Sequence, residues 1–234
     1  MKQIGIIGGV SWQSTQLYYQ TIQNAASNLN IPLCSVPTII NSLDFNPIAE
    51  SIKQQDWQAI IAQLRNAADQ LSRAGVDVIL LANNTLHTVY DDLSKGCSIP
   101  WICVSEPILS ELKQLDVRNV CVLGTSALLK GGFYQQRLNT NSHYELTMIS
   151  SRAQASIDQI IFNELCKGDI RSESKDFLQD LINQLKDKGV EAIILACTEL
   201  PLLANELDLP IPALDSSQLH AMAAFNFATQ GKVQ

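Results

Sequence analysis

The sequence predicts an α/β fold of two pseudo-symmetric lobes, each a mostly parallel sheet flanked by helices, with the active site in the cleft between them. Three observations carry that reading. Apolar runs of four to seven residues alternate with longer amphipathic stretches, which is the pattern of βαβ units. The run Gly75-Val-Asp-Val-Ile-Leu-Leu-Ala-Asn83-Asn84 aligns without gaps on Gly189-Val-Glu-Ala-Ile-Ile-Leu-Ala-Cys197-Thr198, 114 positions later. The length of 234 residues suits two lobes of roughly 110 to 120 residues better than one core.

Residues 3–7 are an apolar run stopped by Gly8-Gly9, and so a strand; residues 14–29 follow as a helix opened by Ser and Thr. Residues 39–43 make a second strand. Residues 57–74 form an amphipathic helix that ends at Gly75, a C′ position, and residues 76–82 are the next strand. The same grammar returns with a strand at 119–123, a helix at 174–188 ending at Gly189, and a strand at 190–196. Two further blocks support a duplication: Ile6-Ile7-Gly8 aligns on Val122-Leu123-Gly124, and Ile99-Pro100 on Leu209-Pro210. The first lobe is expected over residues 1–112 and the second over 113–212, with 213–234 packing back on the first.

Composition excludes several classes. With 46% hydrophobic and 17% charged residues the chain can build a packed core. Its net charge of −7 and the lack of any Lys/Arg cluster argue against a nucleic-acid partner. No apolar stretch has the length of a membrane span, and the glycines after Lys2 interrupt any signal-peptide core, so a cytoplasmic protein is expected. Six cysteines at irregular spacing, with no C-x-x-C, read as free thiols in a reducing compartment and show no metal-ligand spacing.

Cys197 stands apart from the other cysteines. It ends an apolar strand and is followed by Thr198 and Glu199 rather than by more core. A helix starting at residue 200 would lower the thiol pKa through its dipole and favour the thiolate. The duplicated position carries Asn83, followed by Asn84, Thr85, Leu86 and His87, a loop rich in groups that bind a carboxylate. The loop Gly8-Gly9-Val10-Ser11-Trp12-Gln13-Ser14-Thr15 offers close backbone approach and donors at a helix start. His87 and His220 read as capping or packing residues before they read as functional ones, and Lys167 as a solvated helix-end lysine.

Ile-Gly-Ile-Ile-Gly-Gly-Val-Ser-Trp-Gln-Ser-Thr at 4–15, Asn-Asn-Thr-Leu-His at 83–87, Cys-Thr-Glu at 197–199 and the segment from Asp215 to His220 together resemble the cofactor-independent aspartate/glutamate racemase family. The resemblance runs collinearly over almost the whole chain. It implies an enzyme that moves the Cα proton of an acidic amino acid with cysteine thiols, without pyridoxal phosphate or metal, and commonly as a homodimer. On that pattern Cys197 is one catalytic thiol, and Asn83 stands where the other is usual. Ser14, Thr15, Asn84, Thr85, Thr198 and Glu199 fall at substrate-binding positions. The loop at 44–48 carries no Arg to meet a side-chain carboxylate. Three readings remain open on this pattern: a racemase with impaired or asymmetric activity, a single-thiol decarboxylase-like enzyme that also passes through a carbanion, and an inactive small-acid binding homologue.

Overall fold

The computed structural model describes residues 1–140 and 143–230, and the chain divides into two compact units. The first comprises residues 1–104 and the segment from Ser217 onward; the second comprises residues 105–216. In the first unit β1 (Ile4–Gly8), α1 (Trp12–Ser27), β2 (Thr38–Ser42), α2 (Phe45–Gln54), α3 (Trp57–Arg73), β3 (Val78–Leu81) and α4 (Tyr90–Ser94) follow in order. The strands are parallel in the order β2-β1-β3, and Trp101 adds a single parallel bridge to Ile79 beyond β3.

In the second unit α5 (Ser105–Gln114) leads to β4 (Asn119–Leu123), α6 (Ser126–Lys130), α7 (Phe133–Thr140), β5 (Glu145–Thr147) and α8 (Ser151–Gln159). Then come α9 (Ser172–Asp187), β6 (Ala192–Leu195), α10 (Pro201–Ala204), β7 (Ala213–Asp215) and α11 (Ser216–Thr229). The strands are again parallel, ordered β5-β4-β6-β7. All of α11 but its first residue, Ser216, belongs to the first unit, where Ala221, Ala224 and Phe225 join its core. The last four residues of the expected C-terminal segment, 231–234, lie outside the described residues.

Each sheet is covered on both faces, which is why its central strands read as unbroken apolar runs. Ile4 and Ile6 of β1 pack with Tyr18 and Ile22 of α1. On α3, Ile60, Leu64, Ala67 and Leu71 recur at helical spacing and are all buried. In the second unit Leu123, Ile193 and Leu195 pack with Ile157 of α8 and with Leu178, Ile182 and Leu185 of α9.

The duplication is visible bond by bond. β1 pairs with β3 as Ile4↔Val78 and Ile6↔Leu80; β4 pairs with β6 as Val120↔Ala192 and Val122↔Ile194, the same register. At the start of each pair an acidic side chain brackets the neighbouring strand. Asp77 accepts from the Gln3 N–H at 2.6 Å, and Glu191 accepts from the Asn119 N–H at 2.8 Å. One block of the sequence alignment shifts, however. The Ile79 N–H donates to Pro100 O and the Ile193 N–H to Pro212 O, both at 2.9 Å, so Ile99-Pro100 corresponds to Ile211-Pro212 rather than to Leu209-Pro210.

The boundaries between units fall at 104/105 and 216/217, against 112/113 and 212/213 drawn from the sequence. Residues 105–112 belong to α5, within the second unit, and β7 pairs with β6 rather than returning to the first sheet. The four strands expected beside Gly75, Gly189, Gly8 and Gly124 appear within two residues of their expected ends, whereas α6, α7, β5 and α8 gave no comparable signal.

Gly9 has φ +83°, and a Cβ there would meet Leu43 O at 2.1 Å and Leu43 N at 2.4 Å; Gly75 has φ +80° with nothing within 4 Å of such a Cβ. Gly75→Ala is therefore expected to cost only the left-handed backbone penalty, ~1–2 kcal/mol. Gly9→Ala adds a clash with rigid backbone and should cost ~3 kcal/mol or more. Urea denaturation of the two variants measures the difference, and equal losses would contradict the close approach.

Candidate active site

At the end of β6 the chain turns through Cys197, Thr198 and Glu199 before α10. The Cys197 thiol donates to Glu199 Oε2 at 3.0 Å, and the Thr198 hydroxyl donates to the same oxygen at 2.7 Å. Cys197 is only 8% exposed, whereas Thr198 and Glu199 are half-buried. Burial, followed by the charge of the Glu199 carboxylate, pushes the Cys197 thiol well above its ordinary value. That direction is the opposite of the one expected for a helix-stabilised thiolate. α10 is one turn of four residues, and the negative group beside the sulfur opposes its dipole.

At the equivalent end of β3, Asn83 makes a different arrangement. Its side-chain Nδ2 donates to Val10 O at 2.8 Å, and its Oδ1 accepts from the Leu86 N–H at 2.9 Å. Its main-chain carbonyl accepts from His87 Nδ1 at 2.7 Å, which fixes the proton on that nitrogen. Asn84 is buried, and Thr85 opens a short 3₁₀ turn, Thr85–Val89.

Ser14 and Thr15 are buried in the first turn of α1. The Ser14 hydroxyl donates to Ala82 O at 3.0 Å. The Thr15 hydroxyl donates to Ser11 O at 3.1 Å and accepts from the Gly9 N–H at 2.9 Å. These bonds tie the loop between β1 and α1 to the end of β3, and they spend both hydroxyl protons on backbone.

His220 is fully buried. Its Nε2 lies 2.8 Å from Ile102 O, so that nitrogen carries the proton and Nδ1 accepts from the Tyr18 hydroxyl at 2.9 Å. The His87 ring stacks on Tyr90 and stands edge-on to His220. Both histidines are thus structural parts of the first unit's interior, in line with the packing role read from the sequence.

Cys166 is a neighbour that sequence reasoning passed over. α8 runs into a π-helical turn, Ile160–Glu164, and then a 3₁₀ turn, Leu165–Lys167. Leu165 joins the core cluster that holds Cys197 and Leu200. That placement puts the exposed Cys166 where the Glu199 carboxylate acts on it, raising its thiol after the larger effect of burial. The turn is braced by Ser174, whose hydroxyl donates to Glu164 at 2.5 Å, and by the Arg171 pairs with Glu164 and Asp169. Nothing in the spacing of Ile-Ile-Phe-Asn-Glu-Leu-Cys marks a π-turn; only its position after a helix hints at one. Lys167 ends the same turn and is exposed. Among the described residues no three His, Cys, Asp or Glu side chains gather as a metal site, and no helix is long and apolar enough to cross a membrane.

With that geometry in place, the likenesses to other proteins are specific. Residues 7–224 match the Asp/Glu/Hydantoin racemase family, and the chain belongs to that family. A Yersinia pestis protein assigned as an Asp/Glu racemase is 35% identical, with a TM-score of 0.92 over 98% of this chain and 100% of that one. An aspartate racemase homologue from Pyrococcus horikoshii is 30% identical, with a TM-score of 0.87 over the same shares of the two chains. The broad-specificity amino-acid racemase RacX of Bacillus subtilis is 25% identical over 224 residues, 92% of each chain.

Burial lowers the His220 pKa to about 4, whereas an unfolded histidine titrates near 6.5. The neutral ring therefore stabilises the fold fully above about pH 6.5, and that contribution drains away as the pH falls toward about 4, by ~3 kcal/mol in all. NMR titration should find the His220 ring signals unmoved between pH 8 and pH 5. Movement centred near pH 6.5 would contradict its enclosure.

Proposed function

We propose that the chain is an amino-acid racemase acting on aspartate or glutamate, with Cys197 as the residue that exchanges the Cα proton. The observation that carries this is the Cys197-Thr198-Glu199 turn at the end of β6, set in a chain that matches the racemase family over residues 7–224. A buried thiol hydrogen-bonded to a carboxylate is a group that can hold a proton in one state and release it in another. The names borne by the similar proteins support the reaction class, and the chemistry asks only for side chains that move protons, without pyridoxal phosphate or metal.

Asn84 and Thr85 after β3, and Thr198 and Glu199 after β6, are the groups each strand end offers to the carboxylates and ammonium of an acidic amino acid. Ser14 and Thr15 serve by holding the Gly8-Gly9 loop against Ala82, since their hydroxyls already bond backbone. Asn83 occupies the position of the second thiol and supplies a fixed amide. A working homodimer is part of the reading; the exposed Tyr19, Leu33, Ile40 and Phe45 of the first unit are apolar area for a second copy to cover.

Incubation of the purified protein with each enantiomer of aspartate and glutamate, followed by chiral chromatography, tests the activity. Turnover is expected with at least one acidic amino acid, and Cys197→Ser should reduce it by ~10³-fold with the fold intact by circular dichroism. Undiminished turnover in Cys197→Ser would remove the thiol from the reaction. Light scattering should give twice the chain mass, and a monomer would contradict the dimer.

A further inference from the structure

The reading of Cys197 as the proton-transfer thiol leaves a question that its geometry answers: which faces of Cα are served. The equivalent position in the first unit, Asn83, is clamped at both ends of its amide, to Val10 O and to the Leu86 N–H. Turning the amide breaks two hydrogen bonds, and a carboxamide has no proton to give or take near neutral pH. The Asn83 carbonyl accepts from His87 Nδ1, and the His87 ring is buried. Asp44, in the loop after β2, is exposed and caps α2 by accepting from the Asn46 N–H.

The Cys197 side is the reverse. Sγ–H and the Thr198 hydroxyl converge on one carboxylate oxygen of Glu199, and Glu199 is half-buried, whereas the sulfur is nearly enclosed. We infer that proton exchange is one-faced: Cys197 and Glu199 together remove and return the Cα proton on a single face, so exchange with solvent and retention of configuration outruns inversion.

The steps balance. The thiol passes its proton to Glu199 Oε2, giving a thiolate and a carboxylic acid. The thiolate takes the Cα proton; the Cα–H bond breaks, its electron pair stays on carbon and delocalises into the substrate α-carboxylate, and the S–H bond forms. The proton held by Glu199 exchanges with water through its exposed side, and thiol and carboxyl protons exchange across the 3.0 Å bond. In D₂O the sulfur then delivers deuterium to the face it stripped. Cys166, in the turn after α8, also acts by its charge on the Cys197 thiol.

The test incubates L- and D-aspartate and L- and D-glutamate in D₂O with the wild type and with Asn83→Cys, Glu199→Gln, Glu199→Asp and Cys197→Ser. Proton NMR follows loss of the α-proton signal, and chiral chromatography follows inversion. One enantiomer is expected to lose its α-proton ~10²-fold faster than it inverts, the size of a missing positioned acid. Asn83→Cys should bring inversion up to the exchange rate. Glu199→Gln should slow exchange and move its pH profile, with Glu199→Asp restoring part of both.

Inversion that keeps pace with exchange from both enantiomers would overturn the one-faced inference and leave the Cys197 reading standing, provided that Cys197→Ser is silent. Absence of exchange in the wild type overturns the inference as well. If Asn83→Cys then racemises, the reading of Cys197 survives; if it is silent too, that reading falls with it. Exchange in Glu199→Gln at the wild-type rate and pH profile would remove Glu199 from the pair.

Discussion

Asn83 and Cys197 stand at equivalent positions because β3 and β6 are each clamped beside a buried central strand in one register. A slip of one residue would turn every side chain of the strand to the opposite face, and with both faces packed that is prohibitive. The clamp is set at the strand starts, where Asp77 and Glu191 bracket the backbone of the neighbouring strand and Gly75 and Gly189 release the preceding helices. It is read out at the strand ends, where Asn83 and Cys197 follow the last ladder residues by two positions. At these two strand ends the units therefore differ in that residue and the few after it, although the sheets around them have three and four strands.

Those few residues impose opposite electrostatics. In the second unit, burial and a carboxylate act on the same sulfur, and both disfavour the thiolate. In the first unit, a neutral amide is bonded to backbone through both its nitrogen and its oxygen and carries no charge. A single-turn helix after Cys197 contributes little beside a carboxylate in contact with the thiol, because dipole effects act through aligned turns whereas the Glu199 bond acts at 3.0 Å.

Much of this was legible in the sequence because strand ends are written in it. Glycine stops at 8, 75, 124 and 189, together with the gapless match of 75–84 on 189–198, located both central strand pairs and equated Asn83 with Cys197. The alignment failed at Pro100 for a local reason: Leu209-Pro210 and Ile211-Pro212 look alike as dipeptides, and only the ladder bond from Ile193 chooses the second. The stretch from 125 to 173 was silent because its short helices and three-residue strand lack a sustained period. The approach of Cys166 depends on a π-turn, and the directions of the Ser14, Thr15 and Thr198 hydroxyls depend on which carbonyl or carboxylate is in reach. No residue pattern encodes either.

Whether the proton rests on Cys197 is the point on which the proposed chemistry turns, and thiolate ultraviolet absorbance against pH, as the difference between wild type and Cys197→Ser, measures it directly. We expect no thiolate from Cys197 at neutral pH and onset only above the free-thiol value of about 8.5, with Glu199→Gln moving the onset back toward that value. A thiolate signal already present at pH 7, or an onset that ignores Glu199→Gln, would contradict a thiol held protonated by its carboxylate.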